Sequence, residues 1–299
     1  MHFKPMRAIA RGAAVLAAFS SLSFTTPVSA QGDLLVAPTR VILDGRRGTE
    51  VILSNIGGEE ATYRIGLELR RMLENGRLVP VEETDANEKE KAALGMIRYA
   101  PRRIVLPPGQ PQAVRLAARP GTDLPDGEYR VHMSFRAIPK PREVTAEQRN
   151  SDQVSIQLIP IYGVTIPIIV RHGRVEAQAA IAQPELVERE QGPELEVTIQ
   201  RTGDSSTYGE LRVTKPGVED PLVLLRGVAI YPEIGQRKVR ITLTPEQAAA
   251  MKGELRFEYR DMPVAGAGLL AALETRFDGA RAFRSAPPQS EPRSPVFAP

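Results

Sequence analysis

The chain has 299 residues, 24 glycines, 26 prolines and no cysteine. The absence of cysteine excludes disulfides and thiolate zinc sites, and no residue cluster has metal-ligand spacing. Of 39 Lys+Arg, three lie in the first thirty residues, which carry no acid; the rest of the chain balances 36 basic against 36 acidic residues. That neutrality gives no electrostatic argument for nucleic acid or an anionic membrane.

Residues 1–30 read as a secretory signal. Lys4, Arg7 and Arg11 precede a short apolar run from Ala13 to Phe24, and Val28-Ser29-Ala30 forms a small-residue cleavage site. The run is too short to span a bilayer. The chain is expected to be a soluble exported protein.

Beyond Asp33 the chain reads as short β-runs between turn signals. Leu34–Leu43 (LLVAPTRVIL) contains Pro38 near its middle, which predicts an edge strand or a switch between sheets. Thr49–Ser54, Ala61–Arg71, Leu78–Val81, Ile97–Leu106, Gln112–Ala118 and Glu128–Ile138 follow, punctuated by Gly57-Gly58, Asn75-Gly76, Pro107-Pro108-Gly109 and Asp126-Gly127. Glu82–Lys91 (EETDANEKEK) reads as a charged mobile loop. Pro139–Gln153 is polar and reads as a second loop.

Val154–Arg171 (VSIQLIPIYGVTIPIIVR) is the most informative stretch. Every even position from Val154 to Val170 is apolar, which predicts one long strand. Pro160 and Pro167 place it at an edge or a bulge. A long apolar edge templates pairing with other chains, so it suits binding of extended peptide by strand addition.

His172-Gly173-Arg174 closes the first domain, giving domains over 31–173 and 174–278. The second repeats the β style. Thr244–Met251 (TPEQAAAM) reads as a short capped helix and Leu269–Phe277 as an isolated helix. The Pro- and Ser-rich stretch 279–299 reads as a disordered tail. The fold class is therefore all-β, with two sandwiches.

Catalytic chemistry is thin. There is no GxSxG elbow, P-loop or GxGxxG. His132 falls in a predicted strand and reads as packed rather than ligating; His172 lies at the domain junction. An enzyme is not expected, and no cofactor or metal is implied. Arg40 sits on a predicted strand among Val36, Val41, Ile42 and Leu43. Most such arginines are solvated, yet its fork of donors also suits a carboxylate.

Five ordered blocks carry a resemblance: Leu34–Leu43, Val51–Asn55, Ile104–Leu116, Leu124–Pro139 and Val154–Arg171. Together with the leader they resemble the periplasmic pilus-assembly chaperones, the PapD-like group of the chaperone–usher pathway. The resemblance implies two immunoglobulin-like sandwiches at an angle with a cleft between them. It implies that Val154, Ile156 and Leu158 fill the groove of an incomplete pilin-like or fibre subunit, that Arg40 grips the subunit's C-terminal carboxylate, and that an outer-membrane usher is a partner. Self-association through the edge strand is a further implied contact. Thr165 occupies the position of the family's lysine, with Arg171 or Arg115 as candidate replacements. The competing reading is an Ig-like structural or adhesive surface protein, which would cover the 154–170 edge. A carbohydrate-binding module is disfavoured, because the chain has no Trp and 5% aromatics.

Exported protein is expected to begin at or near Gln31. N-terminal sequencing checks this, and retention of residues 1–30 in a membrane fraction would overturn it.

Overall fold

The structure is a computed structural model. It describes residues 34–140, 161–262 and 268–277, and the backbone of 283–285. The predicted leader 1–30, most of the 139–153 loop, the donor run Val154, Ile156 and Leu158, and most of the tail 279–299 lie outside the described residues.

The chain switches sheets at Pro38. Strand β1 (Leu34–Ala37) pairs antiparallel with β3 (Thr49–Asn55), and β2 (Val41–Leu43) pairs parallel with β10 (Gly163–His172) in the facing sheet. The first sandwich is then completed by β4 (Ala61–Met72), β5 (Leu78–Val81), β6 (Ile97–Ala100), β7 (Arg103–Leu106), β8 (Gln112–Ala118) and β9 (Gly127–Ile138). Its sheets run β1-β3-β8-β6 and β2-β10-β9-β4-β5, with β7 also on β4. That is an immunoglobulin-like arrangement. The Tyr129 hydroxyl donates to the Pro125 carbonyl at 2.8 Å, a tyrosine corner at the start of β9. Alternate residues of both sheets meet in one core: Val36, Leu53, Leu106, Val114, Met133, Phe135, Ile166 and Ile168 are all buried.

The second sandwich repeats the principle with β11 (Ala177–Arg189), β12 (Gly192–Gly203), β13 (Thr207–Thr214), β14 (Val223–Ile230), β15 (Gln236–Thr242), β16 (Gly253–Asp261), β17 (Leu269–Phe277) and β18 (Phe283–Ser285). Its sheets run β15-β12-β11-β18 and β14-β13-β16-β17.

Two expectations change. The charged loop Glu82–Lys91 contains a 3-10 turn at 83–85 and the start of helix α1 (Glu88–Met96). Asn87 accepts from the Glu90 amide while Glu90 accepts from the Asn87 amide, a complete capping box. Arg71 of β4 clamps the same Glu90 with bonds of 2.6 and 2.7 Å, and this pair holds the Glu90 carboxyl below the usual range. Leu269–Phe277 is strand β17, not a helix, because it pairs along β16. The predicted helix at 244–251 is present as α2 (Pro245–Ala250), with Thr244 capping Gln247.

Gly209 of β13 lies against β16. A Cβ there would come within 2.1 Å of the Arg260 carbonyl oxygen and 2.8 Å of Tyr259 Cε2. Gly209→Ala is expected to cost about 1–3 kcal/mol, read as a lowered urea midpoint, because neither backbone nor ring can yield cheaply.

Candidate functional site

Strand β10 is covered unequally. On one side β9 pairs with it along its whole length, from Gly163↔Arg136 to His172↔Gly127, and Ala137 N–H donating to Tyr162 O extends the contact. On the other side β2 meets only Ile168, Ile169 and Val170. Among the described residues, no strand covers the outer side of Gly163–Pro167. Against the chain direction this edge leads to Tyr162 and Ile161, which are 44% and 63% exposed; the apolar run 154–160 precedes them in sequence. The strand expected over Val154–Arg171 is thus seen from Gly163. Its even residues Ile166, Ile168 and Val170 enter the core as the alternation requires.

The odd residues face the other way. Ile169 is fully buried there in a small cluster with Met72, Ala229 and Tyr231, which joins the two sandwiches. Around this cluster lies a polar seam. Arg40, just ahead of β2 and level with Pro167, donates through Nη2 to Ser206 Oγ at 2.8 Å and through Nη1 to the Tyr231 hydroxyl at 3.4 Å. Its guanidinium lies 4.5 Å from the Tyr208 ring centroid and 5.6 Å from that of Tyr231. Arg130 of β9 lies 3.5 Å from the Tyr231 centroid and pairs with Glu233 at 2.5 Å. Each such cation–π contact contributes about 0.5–2 kcal/mol, more as water is excluded.

Ser206 is shared. Its hydroxyl and its amide donate to Glu128 Oε2 at 2.8 and 2.9 Å. Arg171 reaches the same oxygen at 3.5 Å and the Ser206 carbonyl at 3.4 Å. The Glu128 side chain is fully buried, so this carboxylate depends on those donors. Elsewhere along the seam, Glu233 accepts from the Met72 amide, and Lys238 N–H of β15 donates to Glu74 O in the β4–β5 turn at 2.7 Å.

The expected site residues therefore separate. Arg40 is half-buried and engaged by the second sandwich. Thr165 lies opposite Ser134, on the same side of β10 as Pro167. Arg171 is committed to Glu128. Arg115 sits on β8 in the opposite sheet, paired with Glu50 on the outer face. Sequence reading missed Ser206, Tyr208, Tyr231 and Glu128 as partners of this region. Ser206 and Tyr231 stand 166 and 191 residues from Arg40, beyond the reach of any local pattern.

His132 is packed, as expected. It lies between Glu68 on β4 and Pro167 on β10, and neither ring nitrogen has a protein partner. Burial first, then the charges of Arg130 and Arg70, push its pKa down to about 3. Because the unfolded chain takes up this proton near 6.5, stability is complete above that pH and falls as the pH drops toward 3. The slope approaches about 1.4 kcal/mol per pH unit for one proton. His132→Gln is expected to flatten the urea midpoint between pH 6.5 and about 5 relative to the parent.

No protein-family model and no curated protein matches the chain. Several solved structures are similar. The class 5 fimbriae chaperone CfaA aligns at 12% identity with a TM-score of 0.42, over 81% of this chain and 98% of its own. The CsuC–CsuE chaperone–tip adhesion subunit pre-assembly complex, from the archaic chaperone-usher Csu pili of Acinetobacter baumannii, aligns at 14% identity with a TM-score of 0.43, over 81% of this chain and 97% of its own. The E. coli chaperone DraB aligns at 14% identity with a TM-score of 0.42, over 82% of this chain and 96% of its own.

Proposed function

We propose that the protein is a periplasmic chaperone of the chaperone–usher type, a binding protein rather than an enzyme. In this reading it holds incomplete fibre subunits by lending them a strand and delivers them to an outer-membrane usher. The observation that carries the reading is the outer side of Gly163–Pro167, which no strand covers among the described residues, with the alternating apolar run 154–160 shortly before it in sequence. Main-chain pairing along such an edge supplies affinity, and alternate side chains entering a groove supply the apolar term at about 25 cal/mol per Å². Val154, Ile156 and Leu158 share the parity of the core-facing Ile166 and Ile168, so a partner strand would meet them on one face.

Arg40 stands at the inner end of that edge, where the terminus of a subunit laid along it would arrive. Thr165, two residues from Pro167, contributes a hydroxyl and no charge there. Arg40 is accordingly the principal carboxylate anchor.

Periplasmic co-purification followed by mass spectrometry identifies the subunit. Ile156→Asp and Leu158→Asp are expected to lose it while keeping a native circular dichroism spectrum, since an unpaired carboxylate does not enter an apolar groove. Normal subunit yield from both folded variants would overturn the strand-lending reading.

Arg40→Ala is expected to weaken subunit binding by about one to two orders of magnitude, the worth of a hydrogen bond to a charged group. Arg40→Lys should rescue only partly, because an ammonium lacks the planar fork. Thr165→Lys should leave binding unchanged or tighten it. Titration of the purified subunit against each variant measures all three.

A further inference from the structure

The guanidinium assigned to the subunit is already occupied. Its Nη2 donates to Ser206, and its face lies on Tyr208 and Tyr231, all three from the second sandwich. Ser206 Oγ is at once the acceptor for Arg40 and the donor to Glu128. We propose that Ser206 is a latch on the anchor: a peptide carboxylate arriving at Arg40 takes the place of the Ser206 hydroxyl, and the seam between the sandwiches loosens as it binds. The proposal rests on the chaperone reading for the origin of the carboxylate. The latch itself is a property of the free chain.

The chemistry favours the exchange. A serine hydroxyl is a neutral acceptor, whereas a carboxylate is charged and matches two guanidinium donors at once, so it is the stronger partner. Arg40 is half-buried, so part of the residue remains in contact with solvent. Its Nε is buried and without a partner, so the free state does not satisfy the group fully. In the exchange Ser206 gives up its acceptor role; its hydroxyl and amide donate to Glu128 while the seam is closed, but without Arg40 on the hydroxyl oxygen those bonds open more often. What is lost is the shorter of two hydrogen bonds from Arg40 to the second sandwich, the other running from Nη1 to the Tyr231 hydroxyl at 3.4 Å. Binding at one domain is thereby read out at the other without a large motion.

The test uses the mature chain and a minimal peptide terminus, N-acetylglycine, with N-acetylglycinamide as the neutral control. Hydrogen exchange over 204–209 is measured with each at millimolar concentration and constant ionic strength. N-acetylglycine should speed exchange of the Ser206 amide about tenfold at saturation, and the amide should leave it unchanged. Arg40→Ala should show the faster exchange already and respond to neither compound. Ser206→Ala removes the competing hydroxyl and should bind N-acetylglycine about tenfold more tightly, followed by chemical shift. Exchange indifferent to N-acetylglycine in the parent, or weaker binding by Ser206→Ala, overturns the latch. No fibre subunit is present, so this outcome is separate from that of the strand-lending variants Ile156→Asp and Leu158→Asp.

Discussion

One arginine sets the relation of the two sandwiches. Arg40 leaves the first domain where the chain has just crossed from one sheet to the other, and it ends among a serine and two tyrosine rings of the second. A lysine could not do this, since stacking on a ring and donating in its own plane both need the flat delocalised cation. Arg130 repeats the device on the same Tyr231, with Glu233 neutralising it. The seam is thus polar and aromatic around a small apolar centre of Met72, Ile169, Ala229 and Tyr231. A seam of that composition holds orientation through directional contacts, whereas the two large cores hold each domain through burial.

Prolines shape the edge that this seam overlooks. Pro38 ends β1 and frees the chain to start β2 in the other sheet. Because β2 is only three residues long, it protects Ile168–Val170 and, among the described residues, leaves the strand bare before that point. Pro167 brings no N–H to the bare side, so it stops the β2 pairing where it begins. A short blocking strand next to a proline divides β10 into a closed inner part and an open outer part.

Much of the first sandwich is legible in the sequence. The period of two marks β3, β4, β8 and β9, and Pro38 announces the sheet switch. Helix α1 carried its own signal in Asn87 and Glu90, a capping pair three residues apart, but the surrounding charges masked it as loop. In β17 the residues LLAALETR favour a helix locally, and pairing with β16 overrides that preference. Arg40 could be singled out as unusual, but not its partners. Contacts between side chains more than 160 residues apart leave no local periodicity, so Ser206, Tyr208 and Tyr231 emerge only from the fold.

The turn between β4 and β5 has a consequence for modularity. Through Glu74 it accepts the Lys238 amide, and through Gly76 it sits so close to Arg237 that a Cβ would come within 2.4 Å of that side chain. Strand β15 is the end strand of its sheet, so this turn caps an edge that would otherwise offer free amides. The second sandwich borrows part of its protection against sticking to itself from the first. Cut free, it would be a stickier object than its core suggests, and grafted onto another partner domain it would need a new cover for β15. The two halves of the chain are therefore physically interdependent along this edge rather than two beads on a string.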